Sequence, residues 1–316
     1  MRVLCAPDKF KGTLDAAEAA AAMAAGAARG GPVADPVLTD RCPVADGGEG
    51  TLEALIAALE GGIRTVEAVG PLGEPVAARY GLSGDGGTGV VEFAAASGLV
   101  LVPDSKRDPT RTTSFGTGQL IAAAAEAGCR TVIAGIGGSA TCDGAAGLAQ
   151  ALGARFYDAS GRLIEEPLTG GRLAEIARFE RPPPERLPAI RVACDVSNPL
   201  LGPNGAAAVY GPQKGATRKQ VEQLDEALSH LAAIVGGDVQ TAGYGASGGA
   251  GFGLAMMCGA TLEPGIELIL QAVGFEKRCR AADLVLTGEG RLDGQSLQGK
   301  ACMGVASAAD RLGVPA

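Results

Sequence analysis

Short apolar runs that end in Gly or Asp recur along the chain, each followed by an alanine-rich stretch with apolar residues at helical spacing. "RVLCAPD" leads into a helix predicted over about 14–29 and "DRCPVADGG" into one over about 50–59. "RTVIAGIGG" leads into one over about 142–152, and "ADLVLTGEG" into one over about 297–311. This is how the βα units of an α/β fold read in sequence, and strands joined by crossover helices are parallel and largely buried.

Between 63 and 92 the period shortens to alternating segments, "RTVEAVG", "VAARYGL" and "GVVEFA", separated by glycine-containing turns. That is meander patterning, and it predicts a second domain inserted into the first. The expected limits are 1–62 plus 245–316 for a discontinuous parallel-sheet domain and 63–244 for the insert. "RPPPERLP" at 181–188 reads as a surface connector, and "AGYGASGGAGFG" at 242–253 as a return linker or a ligand loop. "LGVPA" at 312–316 reads as a loop and the first residues of another strand, so a further βα unit is expected to belong to the first domain.

With 316 residues, the chain exceeds what a single core usually holds, which also favours two lobes. A net charge of −8 with no Lys/Arg run has the wrong sign for gripping a phosphate backbone, so no nucleic-acid partner is expected. The most apolar window, Ala16 to Ala28, is interrupted by Glu18 and reads as a soluble helix, neither a membrane span nor a signal peptide. Eight cysteines stand singly, without a CxxC pair, which fits free thiols in the cytoplasm. The one histidine, His230, lies in "VEQLDEALSHLAAIV", where Val221, Leu224, Leu228, Leu231 and Ile234 form a helical stripe. A helix-surface role suits it, and imidazole-dependent zinc sites and hydrolytic triads are disfavoured.

Ligands of open α/β sheets bind outside the carboxyl ends of the strands. Four such ends carry acid here: Asp8, Asp46, Asp195, and Glu289 with Asp293. Any one of them could be a helix cap, and for Asp46 in "PVADGGEGT" capping and ligand binding weigh equally. Together they suit Mg2+, which takes one or two carboxylates plus phosphate oxygens, or a general base acting on a hydroxyl. Lys9, Lys11, Lys214, Arg291 and Lys300 stand in glycine-flanked loops, where each is either a solvated side chain or an anion ligand.

"GIGGSATCDGAAG" at 135–147 follows a strand and opens a helix, so its amides, with Ser139 and Thr141, could hold phosphate. It also fits G-x-G-x-x-A through Gly135, Gly137 and Ala140, with Asp158 near the ribose-binding distance, so a nicotinamide-dependent oxidoreductase is an alternative. Against that stand the mid-chain position of the strand and Asp143, which would face the pyrophosphate. Acids for metal, lysines for anions and glycine loops for phosphate point to phosphoryl transfer, by a small-molecule kinase or phosphatase. A sugar-acid sensor without catalysis is the remaining class.

Six stretches carry a more specific signal: "APDKFKGTL" (6–14), "CPVADGGEGT" (42–51), "RDPTRTTSFGTGQLI" (107–121), "IGGSATCDGAAGLAQALGARF" (136–156), "ACDVSNPLLGPNGAAAVYGPQKGAT" (193–217) and "ADLVLTGEGRLDGQSLQGKA" (282–301). In this order they resemble the bacterial type I glycerate kinase family. The resemblance implies ATP- and Mg2+-dependent phosphorylation of D-glycerate, usually at the 2-hydroxyl, with 3-phosphoglycerate formation as the alternative outcome. It also implies a flavodoxin-like domain with a second mixed α/β domain inserted, and an active site in the cleft between them. Lys9, Cys142 and Ser197 depart from the family's common Ser, Asn and Asp.

On that reading Asp195, beside Asn198, is the expected base, with Asp46 and Glu49 as the second choice and Lys11 assisting catalysis. Asp8, Lys9, Lys11, Gly47, Gly48, Asn198 and Arg291 are expected on the substrate. Gly137, Gly138, Ser139, Thr141, Lys214 and Lys300 are expected on the nucleotide. Glu289 and Asp293, with Asp8 as a further candidate, are expected on the metal.

Overall fold

Strand β1 (Arg2–Cys5) is a continuous buried run, Val3, Leu4 and Cys5, behind one exposed residue, Arg2, as a parallel strand covered on both faces reads. The structure is a computed structural model that describes residues 1–10, 12–30, 36–291 and 301–316. The remaining strands are β2 (Leu38–Arg41), β3 (Gly62–Val69), β4 (Pro75–Leu82), β5 (Thr88–Glu92), β6 (Thr131–Gly135), β7 (Arg155–Tyr157), β8 (Arg178–Glu180), β9 (Ala189–Ala193), β10 (Thr261–Glu263) and β11 (Leu284–Leu286). The α-helices are α1 (Ala16–Gly30), α2 (Thr51–Ala58), α3 (Ala94–Ser97), α4 (Phe115–Glu126), α5 (Ala146–Ala151), α6 (Ala206–Tyr210), α7 (Arg218–Val235), α8 (Ala246–Cys258), α9 (Gly265–Ala272), α10 (Phe275–Arg280) and α11 (Ala301–Arg311). The chain divides into two α/β units, Met1–Gly62 with Glu263–Ala316, and Ile63–Leu262.

In the first unit β1 pairs in parallel with β11 on one side and β2 on the other, Val3 standing opposite both Leu284 and Thr39. The Val285 amide donates to the Pro315 carbonyl at 2.8 Å, so the last residues run beside β11. Helix α1 begins with reciprocal bonds between Asp15 and Glu18, the Glu18 amide donating to Asp15 Oδ1 at 2.7 Å and the Asp15 amide to Glu18 Oε2 at 3.0 Å. That is a capping box built from two acids, and their charge also complements the helix dipole. Its buried face is Ala16, Ala19, Ala20 and Ala24, small enough for close packing. The expectation of a buried β2 does not hold, since Leu38 is 64% exposed and no residue of the strand is fully buried.

The second unit holds a six-stranded sheet in the order β10-β9-β6-β5-β4-β3 and a two-stranded sheet of β7 and β8. β5, β6 and β9 are mutually parallel, whereas β4 meets β5 antiparallel, which is the meander seen in the alternating pattern. Phe93, Leu120, Ile121, Leu148, Phe156 and Phe252 fill its core. Helix α7 begins with a capping box between Thr217 and Gln220 and buries Leu224, Leu228 and Leu231. Helix α5 starts at Ala146, later than the predicted 142, because Gly144 (φ 57°) and Ala145 (φ 56°) are left-handed and cannot continue into a helix.

The segment 242–253, expected as a return linker or a ligand loop, instead enters helix α8 within the second unit. Its glycines serve close packing. A Cβ at Gly253 would collide with the Gly144 carbonyl, and one at Gly248 with the Thr141 carbonyl. Near its start Ser247, Gly248 and Gly249 all have positive φ, which breaks the helix where it meets the loop after β6.

Candidate active site

In the first unit the backbone pairing continues past the strand ends. The Ala6 amide donates to Leu286 (2.7 Å), Asp8 to Gly288 (2.9 Å), Cys42 to Cys5 (2.8 Å) and Val44 to Pro7 (3.0 Å). These bonds carry the loops of Asp8, Asp46 and Glu289 side by side at the carboxyl edge of the sheet. Asp8 is only 8% exposed, and burial pushes its carboxyl up to about 6. The charges of Asp46 and Glu289 push the same way, while the Lys9 amide, donating to Asp8 Oδ1 at 2.7 Å, and the Lys9 charge oppose them. Three of the predicted acids therefore share one electrostatic neighbourhood.

The "PVADGGEGT" segment forms a tight turn. Asp46 Oδ1 accepts from the Gly48 amide at 3.0 Å, and Thr51 Oγ1 donates to the Gly48 carbonyl at 2.6 Å. Helix α2 is entered from Gly50 (φ 87°) with no side-chain cap, so the capping role weighed for Asp46 is replaced by an Asx turn. The Lys9 ammonium donates to the Glu49 carbonyl and lies 3.9 Å from its carboxylate, which is 93% exposed. A Cβ on Gly50 would press on Lys9 Cδ at 3.2 Å, so glycine there leaves room for the lysine stem. Glu289 is half-buried and Arg291 exposed. Lys11, Asp293 and Lys300 lie outside the described residues. Among the described residues no three His, Cys, Asp or Glu side chains gather closely enough to hold a metal ion by themselves.

In the second unit the loop between β6 and α5 turns two faces in different directions. Gly137 and Gly138 are exposed, whereas Ser139, Thr141 and Asp143 are buried. The loop is anchored from several sides. The Leu99 amide donates to Gly138 (2.8 Å), Ala140 to Ser97 (2.9 Å), Thr112 Oγ1 to Ala140 (2.9 Å), and the Ser247 hydroxyl to the Ile136 carbonyl. Lys214, 2% exposed, donates to Ser139 Oγ at 2.8 Å and to the Thr141 carbonyl at 2.6 Å. Burial lowers its pKa, and the charges of Cys142 and Asp143 oppose that shift.

Asp143 points inward, with Oδ2 accepting from the Ser114 hydroxyl (2.7 Å) and the amides of Ser114 (2.9 Å) and Gly147 (3.3 Å). The acid that counted against a dinucleotide in this loop is thus turned into the interior. Burial raises its pKa, with the Ser114 bonds opposing. Among the described residues Asp143 Oδ1 and Thr141 Oγ1 complete no well-formed hydrogen bond, although the Thr141 hydroxyl is near enough to lower the Asp143 pKa.

Asp195 is exposed two residues beyond β9. Asn198 is held by its side chain, donating to the Asn204 carbonyl (2.8 Å) and accepting from Tyr210 (2.8 Å). Sequence reasoning missed Ser114, Ser247 and Gly248 as supports of the β6–α5 loop. Only the unusual glycine density at 242–253 hinted at the last two.

Two residues resolve to bland roles. Asp158 accepts from Ser160 and Arg162 within its own turn, bonds that lower its carboxyl to about 2. His230 Nε2 lies 2.7 Å from the Ile176 carbonyl on the surface of α7.

The profile of the glycerate kinase family matches residues 3–316. A glycerate kinase of Halalkalibacterium halodurans is 48% identical over 321 residues, covering 99% of this chain and 83% of that protein. A glycerate 2-kinase of Escherichia coli (strain K12) is 47% identical over 323 residues, covering 100% of this chain and 84% of that protein. A crystal structure of a protein described as a candidate glycerate kinase 2 from Salmonella typhimurium LT2 superposes with a TM-score of 0.92 at 49% identity, covering 100% of this chain and 85% of that one. These matches leave no place for the oxidoreductase and sensor alternatives: the chain is an enzyme and belongs to the glycerate kinase family.

Proposed function

We propose that the protein transfers a phosphoryl group from ATP, with Mg2+, to the 2-hydroxyl of D-glycerate, giving 2-phosphoglycerate. The observation that carries this reading is the 47% identity, over 100% of this chain, to a relative named glycerate 2-kinase. The residues present fit the two cofactors. Gly137 and Gly138 are exposed, and a Cβ on Gly138 would meet only Ala94 Cβ at 3.3 Å, so backbone there is open to a nucleotide phosphate. Glu289 is the described candidate for the metal, which needs only one or two carboxylates when phosphate oxygens complete its shell. When bound, Mg2+ neutralises charge on the transferring group.

The chain's own groups do the rest by placement. Asp195 accepts the proton of the glycerate hydroxyl at a carboxylate oxygen as the bond to phosphorus forms. Asp46 and Glu49 line the substrate side of the β2–α2 turn with Gly47 and Gly48, and Lys9 and Arg291 offset the negative charge of glycerate and phosphate. Asp8 is the buried acid of this group. Asn198 acts by tying the loop after β9 to Asn204 and Tyr210, which fixes where Asp195 starts. Free thiols throughout suit a reducing compartment, and we place the enzyme in the cytoplasm. No helix among the described residues is long and apolar enough to cross a membrane.

ATP-dependent ADP release with D-glycerate tests the reading. Wild-type protein turns over, and Asp195→Asn loses roughly 10²–10⁴ in turnover while keeping its fold. No release by the wild type refutes the kinase reading, and near-normal turnover by folded Asp195→Asn refutes the base.

A further inference from the structure

We infer that Lys214 is a positioning residue that organises the Gly137–Thr141 loop from beneath, acting through Ser139 and Thr141 and touching no ligand itself. The inference rests on the proposed role of that loop as the nucleotide-phosphate support. It departs from the sequence expectation, which put the Lys214 ammonium on the phosphates.

The geometry separates the two possibilities. Lys214 is 2% exposed, and two of its three N–H donors are directed at Ser139 Oγ (2.8 Å) and the Thr141 carbonyl (2.6 Å). Those two acceptors flank Ala140 and follow directly on the exposed pair Gly137 and Gly138. The ammonium therefore sits on the interior side of a loop whose outer side is bare backbone. Gly215 makes the position possible. It is left-handed (φ 94°), and the site of a Cβ there is filled by the Arg107 carbonyl and Arg107 Cβ, so the turn that delivers Lys214 is held tightly against Arg107.

Folding alone gives little reason for this arrangement. Burying an ammonium is unfavourable unless it is paired and hydrogen-bonded, and replacing buried charges by apolar groups of similar volume is often neutral or stabilising. What the lysine supplies is a pair of donors fixed directly under the loop, one to Ser139 Oγ and one to the Thr141 carbonyl. A methionine would fill the space without binding Ser139 or the Thr141 carbonyl. Preorganised donors and dipoles of this kind are worth most where they need not rearrange on ligand binding.

Steady-state ADP release by the full chain decides it, with ATP and D-glycerate varied separately for wild type, Lys214→Met, Ser139→Ala and the double variant. Lys214→Met is expected to raise the ATP KM by roughly tenfold or more, the loss of a charge-assisted hydrogen bond, and to leave the glycerate KM within about twofold. Ser139→Ala is expected to shift the ATP KM in the same direction by less, and the double variant to be no worse than Lys214→Met, because both remove one connection. Additive effects in the double variant overturn the proposal in favour of direct contact. A lowered melting temperature with unchanged kinetic constants overturns it in favour of a purely structural lysine. The same non-additive pattern on the glycerate KM supports the positioning role and overturns the nucleotide reading of the loop instead. Ser139→Ala carries the test if Lys214→Met does not fold, and an unchanged ATP KM in Ser139→Ala then overturns the proposal.

Discussion

Lys9 holds the glycine-rich turn after β2 through Glu49: its ammonium donates to the Glu49 carbonyl, and the Glu49 carboxylate stays in solvent, 93% exposed. The residue that follows the buried acid Asp8 thus braces the loop that presents Asp46. The lysine's hydrogen bond is to the backbone, and the Glu49 carboxylate, 3.9 Å from the ammonium, still faces solvent and can reach a substrate without disturbing the turn.

That separation makes a prediction for the acidic pair. Asp46→Asn keeps an Oδ1 able to accept from the Gly48 amide, and Glu49→Gln alters a solvent-facing group whose 3.9 Å approach to Lys9 contributes little to stability. Both variants are expected to unfold in urea within about 1 kcal/mol of wild type and to lose at least roughly tenfold in turnover. Normal turnover with reduced stability would return both residues to a structural role.

Asp8 predicts a pH-dependent stability of a definite sign. Its folded-state value of about 6 lies above the free-side-chain value of 3.8, so the unfolded chain releases the proton first. The contribution is fully favourable below about pH 4, falls as pH rises to about 6, and then stays at a penalty of up to roughly 3 kcal/mol. Asp8→Asn keeps the acceptor for the Lys9 amide and removes the penalty. Urea melts should show the variant more stable than wild type at pH 7.5 and equal to it near pH 3.8. An equal difference at both pH values would rule out titration of Asp8 as the cause.

Gly253→Ala sets helix propensity against packing. Alanine is favoured over glycine inside a helix by about 1 kcal/mol. A Cβ at this position would nevertheless collide with the Gly144 carbonyl and crowd Ala145 Cβ at 2.9 Å. Overpacking is expected to win, destabilising the protein by about 1–3 kcal/mol, as read by denaturant unfolding. A stabilised variant would show that α8 does not brace the β6–α5 loop.

The parallel units around β1, β6 and β11 were legible because strand, glycine or acid, and helix follow one another locally. The meander of β4 and β5 was legible from its period of two. The role of "AGYGASGGAGFG" was not, because its glycines are set by the carbonyls of Thr141 and Gly144, about a hundred residues earlier. At the candidate site, Asp8, Asp46 and Glu289 could be picked out because strand ends are where such sheets bind ligands. The inward turn of Asp143 and Lys214 could not, since burial of a charge depends on partners such as Ser114 and Ser139 that only the fold assembles. Asp46 shows the same limit at short range: an Asp before a helix can cap it or close an Asx turn, and Gly50 decides between the two by entering α2 left-handed.

The central claim is regiospecific phosphoryl transfer to glycerate, and phosphorus NMR of the product formed from ATP, Mg2+ and D-glycerate tests it most directly. The account predicts the resonance of 2-phosphoglycerate, growing in step with ADP. The resonance of 3-phosphoglycerate, or ADP-free conversion of glycerate, would contradict it.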